Sequence, residues 1–237
     1  MENIMENIKQ RLEEVERRIT AAAEKSGRKR EDITLIAVTK THGTDMINEA
    51  ISCGATDIGE NKPQDIRDKF DDVQPVKWHM IGHLQTNKIK YIIDKVCLIH
   101  SVDSIKLMDE INKHAQKHEI IMDILIEVNI SGEESKSGIS PDELHDMLLH
   151  AGELKNIHVK GLMTVAPKVE ENVKNNLHFN NMNQLFIDIK SKKYDNVSME
   201  YLSMGMSGDY ETAIECGSNM VRVGSAIFGK RAYEITI

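Results

Sequence analysis

The chain has 237 residues, 40% of them apolar and 29% charged, with a formal net charge of −8. The length suits one barrel of roughly 250 residues, and the composition is that of a globular protein with a sizeable core. The negative balance argues against nucleic-acid binding, the lack of a long apolar run excludes a membrane span, and the N-terminus has no secretion-signal core, which points to the cytoplasm.

In residues 3–26 the apolar positions Ile4, Ile8, Leu12, Val15 and Ile19 recur three or four apart, as on an amphipathic helix, and Gly27 ends it. A short branched run at 33–38 then predicts a strand, followed by a helix from about 44 to 54. The alternation continues with a strand at 57–59, a helix at 63–70, a strand at 76–81 and a helix at 87–94. Next come a strand at 96–101, a helix at 104–118, a long strand at 121–130 and a helix at 141–151 with Ser140 as N-cap. Strands at 159–164, 199–204 and 220–224 and helices at 172–190 and 210–216 complete the series.

About eight strands, each followed by a helical segment and with no linker between them, predict an α/β protein. The expected form is a single (β/α)8 TIM barrel over residues 1–237 with an additional N-terminal helix; an open doubly wound sheet is the competing topology. Ligands of such barrels bind at the carboxyl ends of the strands. Candidates there include Thr39 and Lys40, Glu60 and Asn61, Gly82 and His83, Ser101 and Asp103, Asn129, Thr164, Ser203, Ser207, and Arg222 with Gly224 and Ser225.

Lys40 ends the run LIAVTK, where enclosure would favour the neutral amine that attacks aldehydes; the bland alternative is a lysine that snorkels to solvent. LSMGMSGD and GSNMVRVGSAIFGKR place glycines and the hydroxyls of Ser207 and Ser225 in neighbouring loops suited to phosphate, although Gly-Ser turns are common. Arg222 lies in a strand that reads as buried, so its charge needs a partner: a ligand atom, or a carboxylate such as Glu60, Asp103 or Glu127. His79 and His83 in WHMIGH read as satisfied polar residues rather than metal ligands, and Met199, Met204, Met206 and Met220 read as core. Cys53, Cys97 and Cys216 are too far apart for a zinc site or a disulfide framework and are expected buried and reduced.

Together, IAVTK at Lys40, IGEN at 58–61, WHMIGHLQTNK at 78–88, VNISGEESKSG at 128–138, GLMTVAP at 161–167, LSMGMSGD at 202–209 and MVRVGSAIFGKR at 220–231 resemble one family. It is the pyridoxal phosphate homeostasis (YggS/PROSC) family, whose fold is that of the N-terminal barrel of alanine racemase, a fold type III arrangement. The resemblance implies pyridoxal 5′-phosphate held as an imine on Lys40. It places Ser207, Gly224 and Ser225 around the phosphate, Arg222 at the pyridine nitrogen, and Asn61 and Met204 near the ring. An arginine at that nitrogen makes the ring a poor electron sink. The implied role is vitamin B6 homeostasis and cofactor delivery, with dependent apoenzymes as recipients, in a monomer or weak dimer with little or no catalysis. The alternative is a racemase with Lys40 as one base, and these residues offer no second β-rich domain to supply the partner tyrosine of the racemases.

Overall fold

The computed structural model describes residues 2–167 and 172–229, and among these eight parallel strands close a barrel in the order β1 to β8. The strands are β1 (Thr34–Val38), β2 (Asp57–Glu60), β3 (Lys77–Met80), β4 (Leu98–Val102), β5 (Met122–Glu127), β6 (Ile157–Met163), β7 (Val197–Met206) and β8 (Met220–Val223). Closure is made by β8 on β1, where Thr34 to Ala37 face Met220 to Val223 in unbroken register. The helices are α1 (Glu2–Lys25), α2 (Thr44–Ser52), α3 (Pro63–Lys69), α4 (Ile105–Lys117), α5 (Leu144–Ala151), α6 (Asn172–Lys190), α7 (Tyr210–Glu215) and α8 (Ser225–Phe228). The barrel expectation holds and the open sheet does not.

Alternation along the strands divides the apolar residues into two layers. Leu35 and Ala37 pack outward with the helices, as do Val221 and Val223, whereas Ile36 and Met220 join Leu98, Leu125 and Met163 in a cluster made of strand residues alone. That inner cluster fills the barrel. Inward parity on β1 then continues through Val38 to Lys40, and on β8 through Arg222 to Gly224, so closure of β8 on β1 brings lysine and arginine to one mouth.

Local departures from the sequence reading have local causes. The segment after β3 is a 3-10 helix at Thr86–Tyr91, which ends in the i to i−3 bond from Ile92 N–H to Ile89 O. β5 stops at Glu127, and beyond it only Val128 bridges to Ile139, while the Asn129 side chain accepts from Ser131 and Gly132 in a turn. Before α5, Pro141–Glu143 forms a 3-10 turn whose Glu143 carboxylate accepts from the Ser140 N–H and hydroxyl. The cysteines are free but not buried: Cys53 and Cys216 are half-buried at helix ends, and Cys97 is exposed just before β4.

Candidate functional site

A cavity of about 460 Å³ opens at the carboxyl ends of the strands. It is lined by Lys40, Asn61, Ser207, Arg222, Gly224 and Ser225, together with His42 and Met206. Six of the seven residues expected from the sequence therefore converge. Met204 does not: it is fully buried in the outer layer with Leu202, on the strand face opposite Tyr201 and Ser203. A register shift between Ser203 and Met206, with Gly205 at φ 97°, returns Met206 to the mouth instead. Lys230 and Arg231, the end of the C-terminal motif, lie outside the described residues.

The turn bearing Lys40 is clamped from below. His42 N–H donates to Thr39 O, which places Lys40 and Thr41 at the turn centre with Thr41 at φ 70°, a left-handed backbone that strains a β-branched residue. Thr39 Oγ1 donates to Glu60 Oε1 at 2.9 Å, and Lys69 Nζ on α3 donates to the same oxygen at 2.7 Å. Burial pushes the Glu60 carboxyl above its usual range, against the bonds from Lys69 and Thr39. His42 stacks on Phe228 at 4.7 Å between ring centroids, which ties this loop to α8.

Opposite, the β7 and β8 loops are joined by Ser207, whose Oγ accepts from Gly224 N–H at 3.0 Å and Ala226 N–H at 3.4 Å. With its lone pairs engaged, the hydroxyl has its hydrogen to offer an acceptor in the cavity. Arg222 is 4% exposed and donates through Nη1 to Ser203 Oγ at 2.5 Å and through Nη2 to Thr164 O at 2.8 Å. Burial lowers its pKa to about 10, while the charges of Glu127 and Asp209 act the other way. Of the carboxylates considered from sequence, Glu127 is the one whose field reaches this guanidinium. Burial, Asp103 and Arg222, in that order of effect, leave its own pKa at about 7.

These residues fit pyridoxal phosphate on the chemistry of the donor set. Asn61 Oδ1 is buried without a hydrogen-bond partner among the described residues, and a ring hydroxyl can satisfy it. Ser207 and the neighbouring glycine-bearing loop suit a phosphate, and Arg222 suits an acceptor nitrogen. The two histidines singled out earlier separate: His83 is exposed beside Asp103, whereas His79 is buried inside the barrel against His100 and Asp57. Sequence reasoning passed over His100 and Asp57. A polar ring within the apolar strand LIHSV was the available signal for the first.

The family described as alanine racemase, N-terminal domain, matches residues 10–232. A pyridoxal phosphate homeostasis protein of Aquifex aeolicus is 42% identical over 229 residues, covering 96% of this chain and all of that one. A crystal structure of an unknown protein from Bifidobacterium adolescentis superposes with a TM-score of 0.91 at 35% identity, covering 96% of this chain and 97% of the other. PipY of Synechococcus elongatus, solved with pyridoxal phosphate bound, superposes with a TM-score of 0.80 at 26% identity over 94% of this chain and 100% of PipY. With both matches running nearly end to end, the chain belongs to the pyridoxal phosphate homeostasis proteins of the alanine racemase N-terminal domain family.

Proposed function

We propose that this protein binds pyridoxal 5′-phosphate in the barrel mouth with Lys40 as covalent anchor, and that it holds and delivers the cofactor rather than turning over amino acids. The observation that carries this reading is the convergence of Lys40, Asn61, Ser207, Arg222, Gly224 and Ser225, from the ends of four strands, on one cavity. The bound group supplies an aldehyde for an amine and a phosphate for hydrogen-bond donors. Lys40 presents the amine from its clamped turn, and Ser207 with the loop before α8 presents donors to the anion. Arg222 donates and cannot accept, so a ring nitrogen facing it stays unprotonated and draws electrons poorly. That disfavours the carbanion chemistry of racemases and transaminases.

Purified protein is expected to carry the absorbance of the bound cofactor, to lose it in Lys40→Ala, and to turn over no amino acid appreciably. Ser207→Ala should retain the cofactor about 10-fold more weakly, the worth of one hydrogen bond to a charged group. A Lys40→Ala protein that keeps the absorbance, or rapid inversion of an amino acid by the wild type, would overturn the reading. Delivery is tested by activating a cofactor-free dependent enzyme in the presence of an aldehyde scavenger, which direct handover resists and leakage does not.

A further inference from the structure

Barrel interiors are ordinarily filled by bulky branched side chains. Beside the inner apolar cluster of this barrel runs a file of buried polar groups instead. Arg222 Nη1 meets Ser203 Oγ at 2.5 Å, Ser203 Oγ meets His100 Nδ1 at 3.1 Å, His100 Nε2 meets His79 Nδ1 at 3.0 Å, and His79 Nε2 meets Asp57 Oδ1 at 2.9 Å. Ser203 and His100 are fully buried, and His79, Arg222 and Asp57 are 3%, 4% and 6% exposed. Asp57 opens β2 at the amino end of the barrel, whereas Arg222 lines the cavity at the other. Such a file is costly unless every hydrogen has a place, and apolar residues of similar volume would serve stability as well.

We propose that Asp57, His79, His100 and Ser203 are positioning residues for Arg222, a relay whose hydrogens all point one way, from the guanidinium in the mouth to the carboxylate at the opposite rim. The two ends set the direction. A guanidinium only donates and an ionised carboxylate only accepts. Asp57 is kept ionised: burial pushes its carboxyl up, but the bonds from His79 and Thr56, followed by the charges of His79 and Lys77, outweigh it and leave it below the usual range. A neutral His79 ring then donates from Nε2 and accepts at Nδ1. His100 follows with its hydrogen on Nε2, and the Ser203 hydroxyl donates to His100 Nδ1 while accepting from Arg222. Burial first, then His79 and Arg222, hold His100 well below the ordinary histidine pKa, so no second cation sits behind the guanidinium.

One added proton on His79 reverses the relay. Both nitrogens of His79 would donate, His100 would turn its hydrogen onto Nδ1, and Ser203 Oγ would receive hydrogens from both sides. The groups that bear on this step are Asp57 on β2, Lys77 on β3, Cys97 before β4 with its Sγ 3.5 Å from His79 Nε2, and His100 on β4; at the far end Glu127 and Asp209 face Arg222. The relay stands on hydrogen bonds of the protein alone, and only its effect on the cofactor rests on the binding proposed above.

The test reads the side-chain nitrogens of His79, His100 and Arg222 by NMR in the full-length chain, both stripped and cofactor-loaded. The expected wild-type pattern at neutral pH is hydrogen on Nε2 of both rings. Asp57→Asn, whose amide can donate as well as accept, should mix the two directions and perturb the Arg222 resonances. In loaded protein the same substitution should move the pH midpoint of the cofactor absorbance by ~0.5 unit or more, and Ser203→Ala, which cuts the link, should abolish that shift. Hydrogen on Nδ1 of either ring in the wild type, or an equal Asp57→Asn shift with and without Ser203, would overturn the relay. A wild type with the expected nitrogen pattern but no cofactor absorbance would instead sink the proposed function and leave the relay standing.

Discussion

At the scale of single residues, Glu127 is a group whose ionisation opposes folding. It is 5% exposed, and its pKa rises from an ordinary 4.5 to about 7 because burial and the neighbouring charge of Asp103 outweigh the attraction of Arg222. Between those two values the folded protein holds a proton that the unfolded chain has released, so stability falls as pH rises through this window. Above it the full penalty applies, on the order of 3 kcal/mol. Glu127→Gln should therefore be more stable than wild type at pH 8, by about 1–3 kcal/mol once the lost attraction for Arg222 is allowed for, and the gap should close toward pH 4.5. Urea unfolding of the stripped protein at several pH values measures it, and a difference that does not change with pH would refute the assignment.

At the scale of elements, the strands carry their message in alternation. The inward parity that places Ile36, Val38 and Lys40 on one face of β1 also places Leu125 and Glu127, Tyr201 and Ser203, and Met220, Arg222 and Gly224 inside. The same rule turns Glu60 outward, where Lys69 of α3 meets it, and turns Met204 away from the cavity. At the shift between β6 and β7 a glycine permits the break in alternation. Gly161 has φ 151° at the shift between β6 and β7, and a Cβ there would stand 1.8 Å from Tyr201 O. Gly161→Ala is expected to cost about 3 kcal/mol or more, a fall in Tm of roughly 6–12 °C. Gly43→Ala, whose Cβ would meet nothing within 4 Å, should stay within about 1 kcal/mol of wild type. Similar losses in thermal scans of the two proteins would contradict this account of the glycine.

At the scale of the molecule, α1 completes the ring of helices. α8 spans only four residues, too short to cover the seam between β8 and β1, and α1 packs against α7, α8 and α2 around it. The helix is held by its apolar stripe: Ile8, Leu12, Val15, Ile19 and Ala23 are buried, with Ile19 and Ala23 wholly so. Its ion pairs to α7, Arg18 with Glu211 and Lys25 with Glu215, are solvent-exposed and contribute little. Ile19→Ala is thus expected to lose about 3 kcal/mol, against less than ~1 kcal/mol for Glu211→Gln, in denaturant unfolding. A larger loss for the glutamate would mean that charge rather than packing seats the helix.

Much of this architecture is written in local pattern. Branched runs alternating with 3.6-period stretches announced eight strand-and-helix units, and the residues after each run named six members of the cavity, because strand ends and chemistry-bearing side chains are properties of short segments. Contacts across the barrel were a different matter. Whether Arg222 answers to Glu60, Asp103 or Glu127, and that Asp57, His79, His100 and Ser203 meet it in one file, depends on which strands become neighbours and in what register. No short segment holds that information: it arises when closure of β8 on β1 turns five inward-facing side chains, drawn from across 166 positions of sequence between Asp57 and Arg222, toward a common axis.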